Sequence, residues 1–326
     1  MPPRSPNRLD IGGSEAERRR SGLIRALGAY VLWGLFPLYF LLMRPAGAFE
    51  VIGWRILFSL VFCAVLLTVT RGWKPFLAIA RQPRLLLVMG LAGALIYVNW
   101  SVYIIATLSD HVVESSLGYF INPLVTVLLG VVVLRERLRW MQWLAIAVSA
   151  VAVLVLAVGY GAVPWIALIL AGTFGAYGLV KKKVGPRVDA VSGLTLETAW
   201  LAPVATVQLI VVALGPGLVF GTLGAGHALI LASSGIATVV PLLLFASAAR
   251  RLPLVYLGLV QYIAPLLMFL AGVLVLHEPM PPERLAGFVI VWAALVILVI
   301  DGVRASRRTR DAGAAEASSG PEIDPV

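Results

Sequence analysis

The sequence predicts an all-α polytopic membrane protein, with ten transmembrane helices arranged as two inverted five-helix repeats. Three observations lead to this fold class: a very apolar composition, ten separate apolar runs, and a proline-containing segment that occurs twice. Of the 326 residues, 60% are hydrophobic and 13% are charged, and the mean hydropathy is +0.95. Soluble domains carry about twice that share of charged residues, so this composition disfavours a large soluble helical protein.

The ten apolar runs account for most of the chain. A helix needs about 20 residues to cross a hydrocarbon core about 30 Å thick, and each run approaches or exceeds that length. In order, they lie at 26–43, 50–70, 85–107, 112–134, 140–158, 164–180, 190–213, 226–248, 254–276 and 283–301. The segments 1–22 and 304–326 are polar and are expected to be disordered tails, which leaves 23–160 and 161–303 for the two repeats.

The loops between the runs alternate between basic and weakly charged, and this alternation predicts the orientation. If the N-terminus lies on the first side, that side receives all but three of the 26 lysines and arginines. The exceptions are Arg44 and Arg284 on the second side and Arg55 within a run. By the positive-inside rule, both termini are cytoplasmic in a multi-pass protein of the cell membrane. The net charge of +10 therefore serves orientation and contact with lipid headgroups, and we expect no nucleic-acid partner.

One segment of the chain has a close copy further along. Residues 117–136 read LGYFINPLVTVLLGVVVLRE, and residues 259–278 read LVQYIAPLLMFLAGVLVLHE. An offset of 142 positions aligns a proline, a glycine and a glutamate in one register, as Pro123/Pro265, Gly130/Gly272 and Glu136/Glu278. An offset of 141 aligns Trp33-Gly34 with Phe174-Gly175. Apolar matches are common by chance in such a chain, but this combination is not, so the sequence predicts two copies of a five-helix unit.

The two copies are expected to have opposite orientations, because an odd number of helices makes the second copy enter the membrane from the other side. The loop after the fourth run reads RERLR and is basic, whereas the loop after the ninth reads HEPMPPER and has lost most of the arginines. Inverted repeats can exchange conformations, so that a cavity between them opens to alternate sides. Pro123 and Pro265 each remove a backbone hydrogen bond, and we expect a helix kink at both.

Several of these features resemble the EamA-type branch of the drug/metabolite transporter superfamily: the Trp33-Gly34 pair, the proline-to-glutamate pattern of the fourth and ninth runs, and the number of runs. Five stretches look specifically like one subgroup of that branch: SLGYFINPL (116–124), RWMQWLA (139–145), YGLVKKK (177–183), ETAWLAP (197–203) and QYIAPLLMF (261–269). The resemblance covers about 22–304. It implies ten helices, a substrate path between the halves, and secondary transport of small molecules, usually outward. One departure is that Arg135 and His277 stand where the family commonly has glycine.

Ionisable residues within membrane spans cost free energy, on the order of 3 kcal/mol near the helix centre, and therefore indicate function. Arg55 in the second run and Glu114 at the start of the fourth are expected at similar depth, as an ion pair that lines the outward half of the cavity. A structural pair near the headgroups is the alternative. The offset of 142 maps Arg55 onto Glu197 and Glu114 onto Tyr256, which predicts a hydrogen bond between Glu197 and Tyr256 towards the cytoplasm.

Glu197 is the sequence candidate for a proton-coupled carboxylate, because a desolvated carboxyl can take up and release a proton as water access changes sides. The alternative is that it only pairs with a lysine near the cytoplasmic face, among Lys181, Lys182 and Lys183. The remaining candidates for substrate contact lie near the level of the prolines, and they are Asn99, Asn122, Gln261, Tyr119 and Tyr262. For the tyrosines, packing between helices is the competing explanation.

The pattern favours a secondary transporter that exports small metabolites or drugs, with proton coupling as one option. An ion-coupled importer and a uniporter or exchanger of small solutes stay open as alternatives. A membrane enzyme is disfavoured, because the sequence has no His-Glu-x-x-His motif and brings no serine, histidine and carboxylate to one depth. We therefore expect no catalytic residue, no metal and no cofactor. The expected partners are a small-molecule substrate and the lipid bilayer, with a homodimer left open.

Overall fold

The computed structural model describes residues 9–135, 138–159, 163–184, 187–249, 251–252, 257 and 260–318. Every regular element in these ranges is a helix. In chain order they are α1 (Leu9–Gly34), α2 (Phe36–Leu41), α3 (Ala48–Val69), α4 (Trp73–Ala80), α5 (Pro83–Leu108), α6 (Val112–Leu134), α7 (Trp140–Gly159), α8 (Trp165–Val184), α9 (Ala190–Leu214), α10 (Gly224–Ala249), α11 (Ile263–Leu270), a π-helical turn (Ala271–Val275) and α12 (Pro282–Ser318).

Seven helices in the described ranges are long and apolar enough to cross a membrane: α3, α5, α6, α7, α9, α10 and α12. Two shorter apolar segments occupy Trp165–Lys181 within α8 and Ile263–Val275, which joins α11 to the π-helical turn. Each of the ten predicted runs overlaps a helix. The prediction of an all-helical, multi-pass membrane protein is thereby confirmed.

Two of the predicted runs are interrupted helices. The run 26–43 divides into α1 and α2 at Leu35, because Pro37 has no N–H to donate to the carbonyl of Trp33 and its ring crowds that carbonyl. Pro265 lies in the first turn of α11, just after a turn at 261–262, whereas Pro123 lies inside the uninterrupted α6. The two prolines thus occupy different positions in their helices.

The first and last helices extend beyond the apolar runs into the segments expected to be disordered tails. α1 begins at Leu9, and α12 continues to Ser318. The N-terminal extension contains the stretch EAERRR (15–20), and the C-terminal extension, 304–318, is rich in alanine and arginine, which are strong helix formers. Local helical propensity therefore accounts for the extra turns without any apolar surface to bury.

Helices from the two halves of the chain pack against each other throughout the molecule. α3 lies along α9, and α7 lies along α12. α6 lies against α8, and α11 lies against α1. α5 contacts α8 and α9, while α10 contacts α1 and α3. The helices before residue 160 therefore bury much of their surface against the helices after it.

The two largest apolar clusters of the described residues lie between the helices. One joins α2, α3 and α5 to the second half of the chain and includes Phe40, Ile56 and Trp100. The other lies among α6, α7 and α12 and includes Leu117 and Phe288. Burial of such side chains stabilises the fold by about 1.5–3 kcal/mol each when they leave water, although a membrane span gains less because lipid is itself apolar.

Close contact between helices depends on glycine at two crossings. A methyl group at Gly118 in α6 would lie 2.8 Å from the carbonyl oxygen of Ala167 in α8. A methyl group at Gly235 in α10 would overlap the carbonyl group of Phe58 in α3. Small residues allow membrane helices to approach until their backbones touch, and these two glycines set the separations of α6 from α8 and of α10 from α3.

Candidate functional site

Arg55 is a buried cation two turns into α3, with an exposed fraction of 4%. Its Nε–H donates to Thr238 Oγ1 in α10 at 2.9 Å. The guanidinium carbon lies 4.3 Å from the ring centroid of Trp100, 5.2 Å from that of Phe40 and 5.5 Å from that of Phe36. Its Nη1 is buried and has no hydrogen-bond partner in the described residues. Cation–π attraction to three aromatic rings therefore provides most of the charge stabilisation that the protein offers to this arginine.

The predicted ion pair between Arg55 and Glu114 does not form among the described residues, whose ion pairs join other side chains. Glu114 Oε1 instead accepts a hydrogen bond from the backbone N–H of Ile166 at 3.0 Å. The reason is local: Glu114 lies in the first turn of α6, beside the start of α8. The first N–H groups of a helix lack intrahelical partners and attract a carboxylate. Arg55 points inward to the aromatic rings.

Two further glutamates bind backbone N–H groups at the same end of the molecule. Glu50 accepts from Val219, at 3.0 Å to each oxygen, and from Phe220 at 2.8 Å. Glu278 accepts from Val112 at 2.6 Å and from Val113 at 3.0 Å, at the start of α6. Burial raises the pKa of the Glu278 carboxyl above its ordinary value, and these two hydrogen bonds offset part of that rise. In the sequence, Glu278 stands out only as a repeated residue and nothing marks Glu50, because backbone partners leave no sequence pattern.

Glu197 is fully buried in α9 and is bound by two side chains of α8. Lys181 Nζ donates to Glu197 Oε1 at 2.7 Å, and Tyr177 Oη donates to Glu197 Oε2 at 3.1 Å. The lysine pairing stated as the alternative is thus present, through Lys181. The predicted partner Tyr256 lies outside the described residues. The coupling role of Glu197 stays a prediction.

A series of aromatic rings runs between Arg55 and Glu197. Successive ring centroids are 6.0 Å apart for Phe40–Tyr103, 5.7 Å for Tyr103–Tyr119, 5.9 Å for Tyr119–Phe174 and 6.1 Å for Phe174–Tyr177. Each spacing suits an offset or edge-on ring contact. The series crosses from the first half of the chain to the second between Tyr119 and Phe174, and it links the two buried charged groups.

Asn99 and Tyr119, both predicted site residues, meet in the middle of this series. Tyr119 Oη donates to Asn99 Oδ1 at 3.1 Å. Asn99 Nδ2 donates to the carbonyl of Leu170 and to Thr173 Oγ1, each at 3.1 Å. The amide therefore bridges α5, α6 and α8, which places a fully hydrogen-bonded polar group between the two charged residues.

The other predicted residues lie in a separate cavity. Asn122, Gln261 and Tyr262 line a space of about 310 Å³, together with Pro123, Thr126, Val127, Arg139, Gln142, Leu298, Val299, Asp301 and Gly302. Asn122 Oδ1 is buried there without a hydrogen-bond partner in the described residues. Arg139 Nε donates to both carboxylate oxygens of Asp301, at 2.9 and 2.8 Å. The predicted candidates therefore divide into two groups, one along the aromatic series and one in this cavity.

No group of three or more histidine, cysteine, aspartate or glutamate side chains in the described part of the protein could hold a metal ion. The chemistry that the site offers is binding: one caged cation, one buried ion pair, hydroxyl and amide groups, and aromatic faces between helices of the two halves.

An all-helical, multi-pass membrane fold with buried polar and aromatic side chains between its halves is compatible with a membrane transporter. The chain belongs to the EamA-like transporter family, whose family model matches residues 20–158. It is 48% identical over 292 residues to Protein RarD of Streptomyces exfoliatus, with 90% of this chain and 92% of that protein covered. The subgroup indicated by the five sequence stretches is therefore that of RarD.

Two more comparisons concern the family and the fold. An uncharacterized transporter of Bacillus subtilis strain 168, YojE, is 39% identical over 294 residues, which cover 89% of this chain and 97% of that protein. A solved crystal structure matches with a TM-score of 0.56 and 19% identity, covering 87% of this chain and 98% of its own. That second likeness concerns the fold alone.

Proposed function

We propose that the chain is a secondary transporter of the cell membrane that exports small metabolites or drugs by alternating access between two inverted five-helix repeats. In this proposal both termini are cytoplasmic, and the partners are a small-molecule substrate and the bilayer. The protein acts as a transporter and not as an enzyme.

The observation that carries the proposal is that contacts between the halves come in reciprocal pairs. By the predicted spans, α1–α2, α3, α5, α6 and α7 form the first copy, and α8 to α12 form the second. The contact of α6 with α8 then corresponds to that of α11 with α1, and the contact of α5 with α9 to that of α10 with α3. The contact of α3 with α9 joins equivalent helices of the two copies, and so does the contact of α7 with α12. A pseudo-two-fold relation accounts for all of these contacts, as an inverted repeat requires.

The end of the molecule predicted to be external is held together by three glutamates that each join the two copies. Glu50 binds the segment before α10, Glu114 binds the start of α8, and Glu278 binds the start of α6. Each connection links a carboxylate of one copy to backbone N–H groups of the other, and hydrogen bonds to charged groups are worth about 1.5–3 kcal/mol each. We infer that these contacts close the external end.

The end predicted to be cytoplasmic contains the cavity lined by Asn122, Gln261, Arg139 and Asp301. In an alternating-access cycle, the three external carboxylate contacts would break as contacts at this cytoplasmic end form. The conformation described here is accordingly the inward-facing one in our proposal. Substrate would enter from the cytoplasm and leave after the external contacts open.

Glu197 is the candidate for coupling to protons in this cycle. It is fully buried, and its ion pair with Lys181 reaches partly exposed surface, because the lysine side chain is 27% exposed. Protonation of the carboxylate would remove the charge that binds Lys181 and would loosen α8 from α9. A proton gradient could therefore act on the contact between these helices.

Uptake into inside-out vesicles that contain this protein tests the proposal. Labelled amino acids and other small metabolites are supplied outside, with and without an imposed proton gradient. Uptake that exceeds equilibrium and stops when the gradient is collapsed is the expected result for a proton-coupled exporter. Uptake that only equilibrates indicates a uniporter or exchanger, and uptake that is absent here but present in right-side-out vesicles indicates an importer.

Glu197→Gln is the variant that isolates the coupling step, and Glu283→Gln is its control, because Glu283 is exposed at the start of α12. We expect Glu197→Gln to lose gradient-driven uptake while the protein remains folded. Full gradient-driven uptake in Glu197→Gln would remove the coupling role and leave Glu197 as a structural partner of Lys181.

A further inference from the structure

The contacts of Arg55 and of Glu197 occupy equivalent positions in the two copies. The offset of 142 relates Arg55 to Glu197, and the offset of 141 that aligns the first helices relates Phe36 to Tyr177 and Phe40 to Lys181. Phe36 and Phe40 contact the Arg55 guanidinium. Tyr177 and Lys181 bind the Glu197 carboxylate. Under these offsets, Phe36 and Phe40 are equivalent to Tyr177 and Lys181, and Arg55 is equivalent to Glu197. The three equivalent positions therefore contact one another in both halves of the chain.

The two copies differ in whether the protein supplies a counter-ion. Glu197 has Lys181 at 2.7 Å, whereas Phe40 stands at the equivalent position beside Arg55. No carboxylate of the described residues forms an ion pair with Arg55. Removing an ion from water costs several kcal/mol unless a partner compensates it. Arg55 is 4% exposed, and among the described residues this cost is offset only by Thr238 and by aromatic rings.

One hydrogen-bond donor of Arg55 and one of the neighbouring Tyr103 lack acceptors among the described residues. Arg55 Nη1 and Tyr103 Oη are both buried and without hydrogen-bond partners in the described residues. Tyr103 lies close enough to Arg55 to interact with its charge, and its ring packs against Phe40 at 6.0 Å between centroids. A carboxylate has two acceptor oxygens and suits the guanidinium geometry, so a single bound carboxylate could satisfy both donors.

The surroundings also limit the kind of anion. Arg55 is one cation enclosed by Trp100, Phe40 and Phe36, which offer apolar faces and no second positive charge. A phosphate would carry a second negative charge into this apolar cage. A monoanion attached to an apolar or aromatic body fits the cage, because the body can lie along the rings from Tyr103 to Tyr119.

We propose that Arg55 recognises the carboxylate of the transported molecule, so that the substrate class is small carboxylic acids with an apolar or aromatic body. This inference rests on the proposed transport function and specifies what its site binds. The bound anion is the counter-ion of Arg55, as Lys181 is the counter-ion of Glu197 in the second copy. Because Arg55 is buried in the conformation described here, the anion reaches it only when neighbouring helices separate.

Binding to the purified full chain in detergent micelles tests the proposal. The probes are phenylacetate and N-acetylphenylalanine, each paired with its neutral amide, and the readouts are tryptophan fluorescence and calorimetric titration. We expect the wild type to bind each acid about tenfold or more tightly than its amide, the factor that a charged hydrogen bond provides. Arg55→Gln should lose this preference. Arg44→Gln should keep it, because Arg44 pairs with Asp110 at the exposed surface.

The comparison of acid with amide in the wild type tests whether the protein prefers carboxylates, even if Arg55→Gln does not fold. Arg55→Lys offers a second variant, since it keeps the charge and loses the two-donor geometry. It should retain part of the preference for acids. Equal binding of acids and amides by the wild type would overturn the proposal, and so would an undiminished preference in a folded Arg55→Gln.

Transport by the same proteins in liposomes separates this inference from the proposed function. Arg55-dependent binding of acids without transport would refute the transporter and leave the carboxylate site standing. Gradient-driven transport of a neutral solute that Arg55→Gln leaves unchanged, with no preference for acids, would uphold the transporter and refute the carboxylate site.

Discussion

The Lys181–Glu197 pair predicts a strongly non-additive pair of substitutions. Lys181→Met leaves the Glu197 carboxylate, which has no exposed surface, with only the Tyr177 hydroxyl as partner. Breaking a buried ion pair from one side costs about 3–5 kcal/mol. We expect the lower end, about 3 kcal/mol, because the Lys181 side chain is 27% exposed and admits some water.

Glu197→Gln should cost less, about 1–2 kcal/mol, because Lys181 can turn to water and only one charged hydrogen bond is lost. The double variant leaves no uncompensated charge. Replacing both partners of a buried pair with neutral groups is often nearly neutral, so the double variant should be more stable than Lys181→Met alone. The coupling energy of the cycle should therefore be about 2 kcal/mol or more.

Unfolding of the four proteins in mixed detergent micelles, followed by circular dichroism, measures this cycle. Additive effects, within about 0.5 kcal/mol, would show that the two side chains do not interact. That result would refute the ion pair and, with it, the argument that protonation of Glu197 loosens α8 from α9. A double variant less stable than either single variant would refute it as well.

Three further predictions concern the helix contacts around the site, each measured as a change in the melting of the purified protein. Gly235→Ala should destabilise the protein by about 1–3 kcal/mol through overpacking against Phe58. The control is Gly226→Ala in the same helix, which should change the stability little because a methyl group there meets open space. Equal melting of the two variants would contradict the close crossing of α10 and α3. Glu278→Gln should destabilise by about 1–2 kcal/mol, because its two oxygens accept two N–H groups and an amide offers one acceptor oxygen. Asn99→Leu should destabilise by about 1–3 kcal/mol, because it leaves the Tyr119 hydroxyl without its acceptor; unchanged melting would show that water replaces the amide.

The helical fold was predictable because apolar runs recur along the whole chain. Apolar runs of sufficient length gave the spans, and the basic loops predicted which ends share a side. Pro37 shows the limit of this approach: the residue was visible in the first run, yet run length alone does not reveal that α1 ends at Gly34 and α2 begins at Phe36. Hydropathy averages over a window, whereas a missing backbone hydrogen bond acts at one residue.

The partners of the charged residues were less predictable than their positions. Depth along the membrane placed Arg55 and Glu114 together, but depth does not specify the direction in which a side chain points. Glu114 meets the backbone of Ile166 instead, and backbone donors are present in every sequence alike. The contact of Glu197 with Lys181 could be predicted as an alternative, because few side chains of opposite charge lie at the same depth as Glu197.

The proposed internal repeat relates positions whose chemistry differs between the two halves of the chain. Helix positions that bind Glu197 are Tyr177 and Lys181, while their counterparts at Arg55 are Phe36 and Phe40. A repeat retained only for folding would tolerate a neutral residue at position 55, since a neutral side chain avoids the cost of burying a charge. The chain instead keeps an arginine there without an ion-pair partner among the described residues. A buried charge that the protein itself does not compensate is expected where a ligand compensates it, and the proposed carboxylate substrate would account for the difference between Arg55 and Glu197.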